Sequence, residues 1–234
     1  MVDVNETQEN PISSYPLTIG LLGLMVVIYG LEASYGGFSF AKIGTGASID
    51  ALVQYGGNAH LLVVNQSEWW RLLTATLLHG SLAHIIMNGF SLWNLARPLE
   101  KHFGRETLFN VFVLTGLVAS LSFTLFGSKD TISIGASGAI CGMLGFLIAH
   151  GARNLEELIQ QIRRNWINFA LLLVIGFSIP NVDNFAHGGG VISGILLGLI
   201  YPKFPRVLQQ NLGRVCGLLL VSSAVWIFKL ALLQ

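Results

Sequence analysis

The stretch SIGASGAICGMLGFLIAH, Ser133 to His150, contains an apolar run from Ala136 to Ala149 that is too short to cross a bilayer as a helix. At 1.5 Å per residue such a helix reaches ~21 Å, against ~30 Å of hydrocarbon. Something non-helical must complete the crossing. If His150 and Arg153 fix the inner end, the outer end stops ~10 Å beneath the outer boundary, and Thr131–Gly135 occupies that depth. Irregular backbone survives there only where protein or water satisfies its polar groups. The sequence therefore predicts a wet cavity opening outward. Ser137 lies on its floor, in the first turn of a helix whose amide end favours developing negative charge.

A second reading of the same residues is packing. Ser137, Cys141, Gly145 and Ala149 recur every four residues, a small-residue stripe that lets helices approach closely. GASG is also not the nucleophile elbow of soluble hydrolases, which would need glycine where Ala139 stands.

The rest of the chain agrees with a membrane. Of its residues 53% are apolar and 11% charged, too little polar surface to coat a soluble globule, and the net charge of +1 gives no reason to expect nucleic acid. Seven apolar spans are predicted: Leu17–Leu31, Leu72–Leu95, Leu108–Phe126, Ala136–Ala149, Trp166–Ile179, Ala186–Tyr201 and Val215–Leu232. Arg97, Lys101, Arg105, Arg153, Arg163, Arg164, Lys203, Arg206 and Arg214 flank alternate connections, which makes those loops cytosolic, the N-terminus cytosolic and the C-terminus exoplasmic. The acidic head, with no basic residue before Lys42, does not resemble a signal or transit peptide, so the first span is expected to be retained. That head mildly disfavours mitochondria, and compactness favours a bacterial inner membrane. The long first loop, Glu32 to Trp70, is apolar at GGFSF, Leu61–Val64 and Trp69–Trp70, and reads as a segment at the membrane interface.

A serine nucleophile needs a base at the same depth. His187 follows the short outer loop PNVDNF and opens the sixth span. Gly190, Gly194 and Gly198 behind it form a second small-residue stripe that can pack against the first and bring His187 to Ser137. The plainer alternative is a helix-end histidine satisfied by backbone. In HGSLAHIIMN, His84 and Asn88 share one helix face and descend into the same leaflet, as donors for an oxyanion or as polar glue between helices. His79, a turn nearer the surface, reads as structural or interfacial. Asp183, four residues before His187, reads as a helix N-cap rather than a third catalytic residue. Cys141 and Cys216 fall at opposite depths, which argues against a disulfide, and the histidines lack metal-ligand spacing.

EWWRLLTATLLHGSLAHIIMN at Glu68–Asn88, LEKHFG at Leu99–Gly104, GASGAICGMLG at Gly135–Gly145 and AHGGGVISG at Ala186–Gly194, in that order, resemble the rhomboid family of intramembrane serine proteases. The resemblance implies an all-α polytopic membrane protein with a six-helix core and one further C-terminal helix. It divides the chain into a cytosolic tail (1–16), a catalytic core (17–201) and a linker with a seventh helix (202–234). It implies Ser137 as nucleophile, His187 as general base, and His84, Asn88 and the Ser137 amide as the oxyanion hole. Trp70–Arg71 would help position the first loop. No cofactor or metal is implied. The implied partners are the lipid bilayer and single-span membrane proteins whose helices unwind readily. Substrate-binding residues, oligomeric state and the seventh helix's role stay open. The rival readings are a non-proteolytic relative that binds membrane clients, and a histidine-relay transporter.

The chain departs from the family at Cys141, where many relatives carry an aromatic ring that stacks on the histidine. A thiol cannot hold an imidazole plane, so Cys141→Phe is expected to preserve or raise activity, unless the space is already filled and the ring overpacks it.

Overall fold

The computed structural model describes residues 15–35, 40–151, 155–164, 166–167, 170 and 183–233. In chain order the helices are α1 (Pro16–Ser34), α2 (Phe40–Thr45), α3 (Ile49–Gln54), α4 (His60–Asn65), α5 (Arg71–Thr74), α6 (Leu82–Phe103), α7 (Arg105–Phe126), α8 (Ser137–Gly151), α9 (Leu155–Arg164), α10 (Asn184–Ile200) and α11 (Arg206–Leu232). Two short strands, β1 (Asn58–Ala59) and β2 (Ile132–Ser133), pair antiparallel, Asn58 opposite Ser133. Helices α1, α7, α10 with its following turn, and α11 are long and apolar enough to cross a membrane, and α8 is a shorter apolar helix. The chain is an all-α polytopic membrane protein. The predicted span Trp166–Ile179 lies almost wholly outside the described residues, as do Gly36 to Ser39 of the first loop.

The bundle exposes large apolar side chains and buries polar ones among its apolar core. Val26, Leu125, Ile192, Leu196, Leu218 and Val221 are exposed, whereas Glu32, Asn88, Asn110, Thr115 and His187 are buried. A soluble domain would show the reverse.

The second predicted span is shifted. Leu72–Leu95 is not one helix: α5 and a 3-10 turn at Ala75–Leu77 form a buried segment, the chain then turns, and α6 starts at Leu82. The cause is local, because Ser81 caps α6 by accepting the His84 N–H at 3.2 Å. At its other end α6 continues past Arg97 and Lys101 to Phe103. At that charged end Glu100, buried, accepts the amides of Leu17 at 2.9 Å and Thr18 at 2.8 Å and the Thr18 hydroxyl at 2.7 Å, capping α1. Gly104, with φ 86°, ends α6 and begins α7.

The first loop folds into α2, α3 and α4 with Ala51, Leu52 and Tyr55 buried, while Ile49, Leu61 and Trp69 stay exposed. Arg71 secures it. Its guanidinium donates to the carbonyls of Val53 at 2.6 Å and Gly57 at 3.1 Å, pairs with Glu68, and lies 4.6 Å from the Trp70 ring centre. Asn58 ties the same loop to α7 by donating to the Ser120 carbonyl at 2.8 Å and accepting from the Thr124 hydroxyl at 3.1 Å.

Helix α11 buries Cys216, Leu220, Ala224 and Ile227, and its Gly213 packs against Glu106 of α7. Trp226 meets the Trp70 ring edge to face at 5.8 Å.

Candidate active site

Helices α8 and α10 are parallel neighbours along their small-residue stripes. A Cβ on Gly190 would overlap the Gly138 carbonyl, one on Gly194 the Gly142 carbonyl, and one on Gly198 would lie 2.7 Å from the Phe146 carbonyl. Only glycine lets the backbones come this close. The expected face-to-face packing is present, and it sets both N-terminal ends side by side. Ser137 is half-buried in the first turn of α8, and His187 is buried in the first turn of α10. His187 Nε2 lies 2.8 Å from Ser137 Oγ.

Nε2 is the ring nitrogen that can accept the serine proton, which leaves the hydrogen on Nδ1. Among the described residues no group hydrogen-bonds to His187 Nδ1. Asp183 instead caps α10, its Oδ1 accepting the Ala186 N–H at 2.8 Å. Burial is the main influence on its carboxyl and pushes it above the ordinary range. Asp183 therefore sits as the N-cap that its position in the sequence implies.

The approach to Ser137 is irregular, as the short span requires. After β2 the chain reaches Gly135 at φ 110°, a left-handed conformation open to glycine, and the Gly135 N–H donates to the Ala75 carbonyl at 2.8 Å. Across this glycine lie His84 and Asn88. A Cβ on Gly135 would stand 2.7 Å from His84 Nε2 and 3.7 Å from Asn88 Nδ2. Both predicted donors thus face the chain two residues before Ser137. Asn88 Nδ2 spends one hydrogen on the His84 carbonyl at 3.1 Å and retains another. The N-terminal ends of α6, α8 and α10 share one end of the bundle, where their partial positive charges add. The basic residues Arg97, Lys101, Arg105 and Arg206 fall at the opposite end, where α6 finishes and α7 and α11 begin.

His79 is not interfacial: it is fully buried, its ring edge-on to His84 with centroids 5.1 Å apart. Cys141 is buried at the α8–α10 contact, its Cβ only 3.3 Å from where a Cβ on Gly190 would stand. Cys141 and Cys216 are both free thiols. Among the described residues no three His, Cys, Asp or Glu side chains gather as metal ligands.

Three residues that hold the site escaped sequence reasoning. Gly135 falls there within the expected irregular stretch without a role of its own, and Asn58 carries no local signal. Glu32 follows the first predicted span, and its partner His79 is 47 residues away.

Residues 66–204 match the family model described as Rhomboid domain. The chain is 34% identical over 187 residues to rhomboid protease GluP of Bacillus subtilis, covering 78% of this chain and 35% of that protein. It is 36% identical to RHOMBOID-like protein 1 of Arabidopsis thaliana, covering 64% of this chain and 40% of that one. With RHOMBOID-like protein 7 of the same plant the identity is 33%, over 72% of this chain and 56% of the relative. The chain thus spans roughly a third to a half of these relatives' own length.

Proposed function

The chain belongs to the rhomboid family, and on that premise we propose that it is an intramembrane serine protease cutting single-span membrane proteins in or beside their transmembrane segments. The observation that carries the reading is the 2.8 Å contact between Ser137 Oγ and His187 Nε2.

Ser137 Oγ attacks the scissile carbonyl carbon while its proton passes to His187 Nε2. As the Oγ–C bond forms, negative charge collects on the carbonyl oxygen, where the Ser137 amide, the His84 ring and the free Asn88 hydrogen donate to it. The C–N bond then breaks and Nε2 returns the proton to the leaving amine. Water attacks the acyl ester and loses its proton to Nε2. The C–Oγ bond breaks, Oγ recovers the proton, and the new carboxylic acid departs. The base works as a dyad with Ser137, without an acid on Nδ1.

A peptide carbonyl inside a helix is hydrogen-bonded and shielded, so a substrate must unwind locally at the cut. Residues 17–201 form the catalytic unit and 202–234 add the linker and the seventh helix. With the basic end of the bundle in the cytosol, the site opens toward the exoplasmic face and the C-terminus is exoplasmic.

The test is labelling by a fluorophosphonate probe beside cleavage of a model transmembrane substrate. Wild-type protein should be labelled and active, and Ser137→Ala should lose both. Labelling that survives Ser137→Ala, or a folded wild type that neither labels nor cuts, would overturn the reading.

A further inference from the structure

We propose that Glu32, whose carboxyl group lies in the last turn of α1, is a positioning residue for the oxyanion side of the site, fixing the turn that carries His79 and, through the His79 ring, the ring of His84. The inference rests on the protease reading above.

Glu32 is only 1% exposed, and both its oxygens lie within reach of the His79 amide, at 3.1 and 3.2 Å. That amide sits in the irregular segment between the 3-10 turn and α6, where no helical carbonyl is available to it. Without the carboxyl group it would be a buried donor lacking a partner. The next residue is held from the other side: at Gly46, φ 95°, a Cβ would overlap the Gly80 carbonyl, so the first loop lies flush against the turn. Ser81 follows and caps α6 through the His84 amide. Helix α1 and the first loop thus grip His79–Gly80 just before the helix that presents His84 and Asn88.

The grip reaches the donor ring through one contact. His79 Nδ1 meets the Leu77 carbonyl at 3.2 Å, which orients the imidazole, and its edge packs on His84 at an interplanar angle of 61°. On its other side His84 is stopped by Gly135. A ring held between a fixed neighbour and a glycine has little room to swing, and an oxyanion donor must be in place before charge develops. Glu32 also lines a cavity of about 210 Å³ with Tyr35, Lys42 and Ser48, roomy enough for water.

A merely structural carboxyl group would alter stability alone, whereas a positioning one alters kcat at constant KM. The experiment uses the full chain in proteoliposomes with a transmembrane substrate, reading kcat, KM and Tm. Wild type and Ser137→Ala come first. If cleavage does not depend on Ser137, the protease reading fails and takes this inference with it. Given that dependence, Glu32→Ala should lower kcat by roughly 10- to 100-fold with KM within about twofold. Glu32→Gln, whose amide oxygen still accepts from His79, should recover most of the loss. Wild-type kcat in Glu32→Ala, a loss confined to KM, or a Glu32→Gln variant as slow as Glu32→Ala would each overturn the proposal. Should Glu32→Ala fail to fold, His79→Ala and His79→Phe decide. Both keep the amide, and only the phenylalanine keeps a ring against His84, so His79→Ala should be slow and His79→Phe largely restored. Equal rates in the two would overturn it.

Discussion

The two sides of the site are held by different physics. The base is placed by close packing: glycines at 190, 194 and 198 let α10 lie against the α8 backbone, and His187 arrives at Ser137 because the helices can take no other separation. The oxyanion side is placed by buried hydrogen bonds and loop contacts: Glu32 on the His79 amide, Gly135 on the Ala75 carbonyl, Asn58 on α7 and Arg71 on the first loop. Packing of small residues does not depend on any single polar side chain. A hydrogen-bonded scaffold fails one donor at a time, and leaves the fold standing when it does.

The largest effect tests whether the base side is a single unit. Ser137→Ala and His187→Ala should each abolish cleavage while the protein remains inserted, and the double variant should be no worse, because members of one catalytic unit are not additive. A double variant much worse than either single would break the dyad. On the oxyanion side, Asn88→Ala should lower kcat by roughly 10²-fold or somewhat more with Tm nearly unchanged, the signature of one lost donor. A loss seen only in Tm would make Asn88 polar glue.

Cys141→Phe sharpens the comparison, since it adds a ring at the α8–α10 contact. With Cys141 buried and the Gly190 position 3.3 Å away, the ring must overpack, and a destabilisation of ~1–3 kcal/mol with slower turnover is expected. Thermal stability beside turnover decides it: a stable, faster variant would mean that the base was loosely held. The smallest effect belongs to Asp183→Asn, which keeps an N-cap oxygen. Activity should stay within a fewfold of wild type on the same assay, and a loss as deep as that of His187→Ala would restore Asp183 as a third member.

What could be read from the sequence follows the same division. The four-residue spacing of Gly190, Gly194 and Gly198 against Ser137, Cys141 and Gly145 is a local pattern, and so predicts both the interface and the meeting of Ser137 with His187. The length deficit of the fourth span likewise places a non-helical segment before Ser137, where β2 and Gly135 are found. The oxyanion scaffold is illegible because its partners are far apart in sequence: Glu32 and His79 are 47 residues apart, Asn58 and Ser120 62. The shifted second span has a related cause. Hydropathy scores Leu72–Leu78 and the start of α6 alike, since both are apolar, although the first is largely buried and Leu82 and Ile86 are exposed, and only the Ser81 cap separates them.

The cap that Glu100 makes on α1 bears on how the chain is assembled during synthesis. Leu17 and Thr18 leave the ribosome 83 and 82 residues ahead of the carboxylate that receives their amides. Until α6 follows, α1 lacks this partner for its leading amides. Arrival of Glu100 sets its depth, and with it the height at which Glu32, four turns further along the same rod, meets His79. The far end of the first helix thus bears on the oxyanion side as well, because the Glu100 cap and the Glu32 contact are made by one rigid helix.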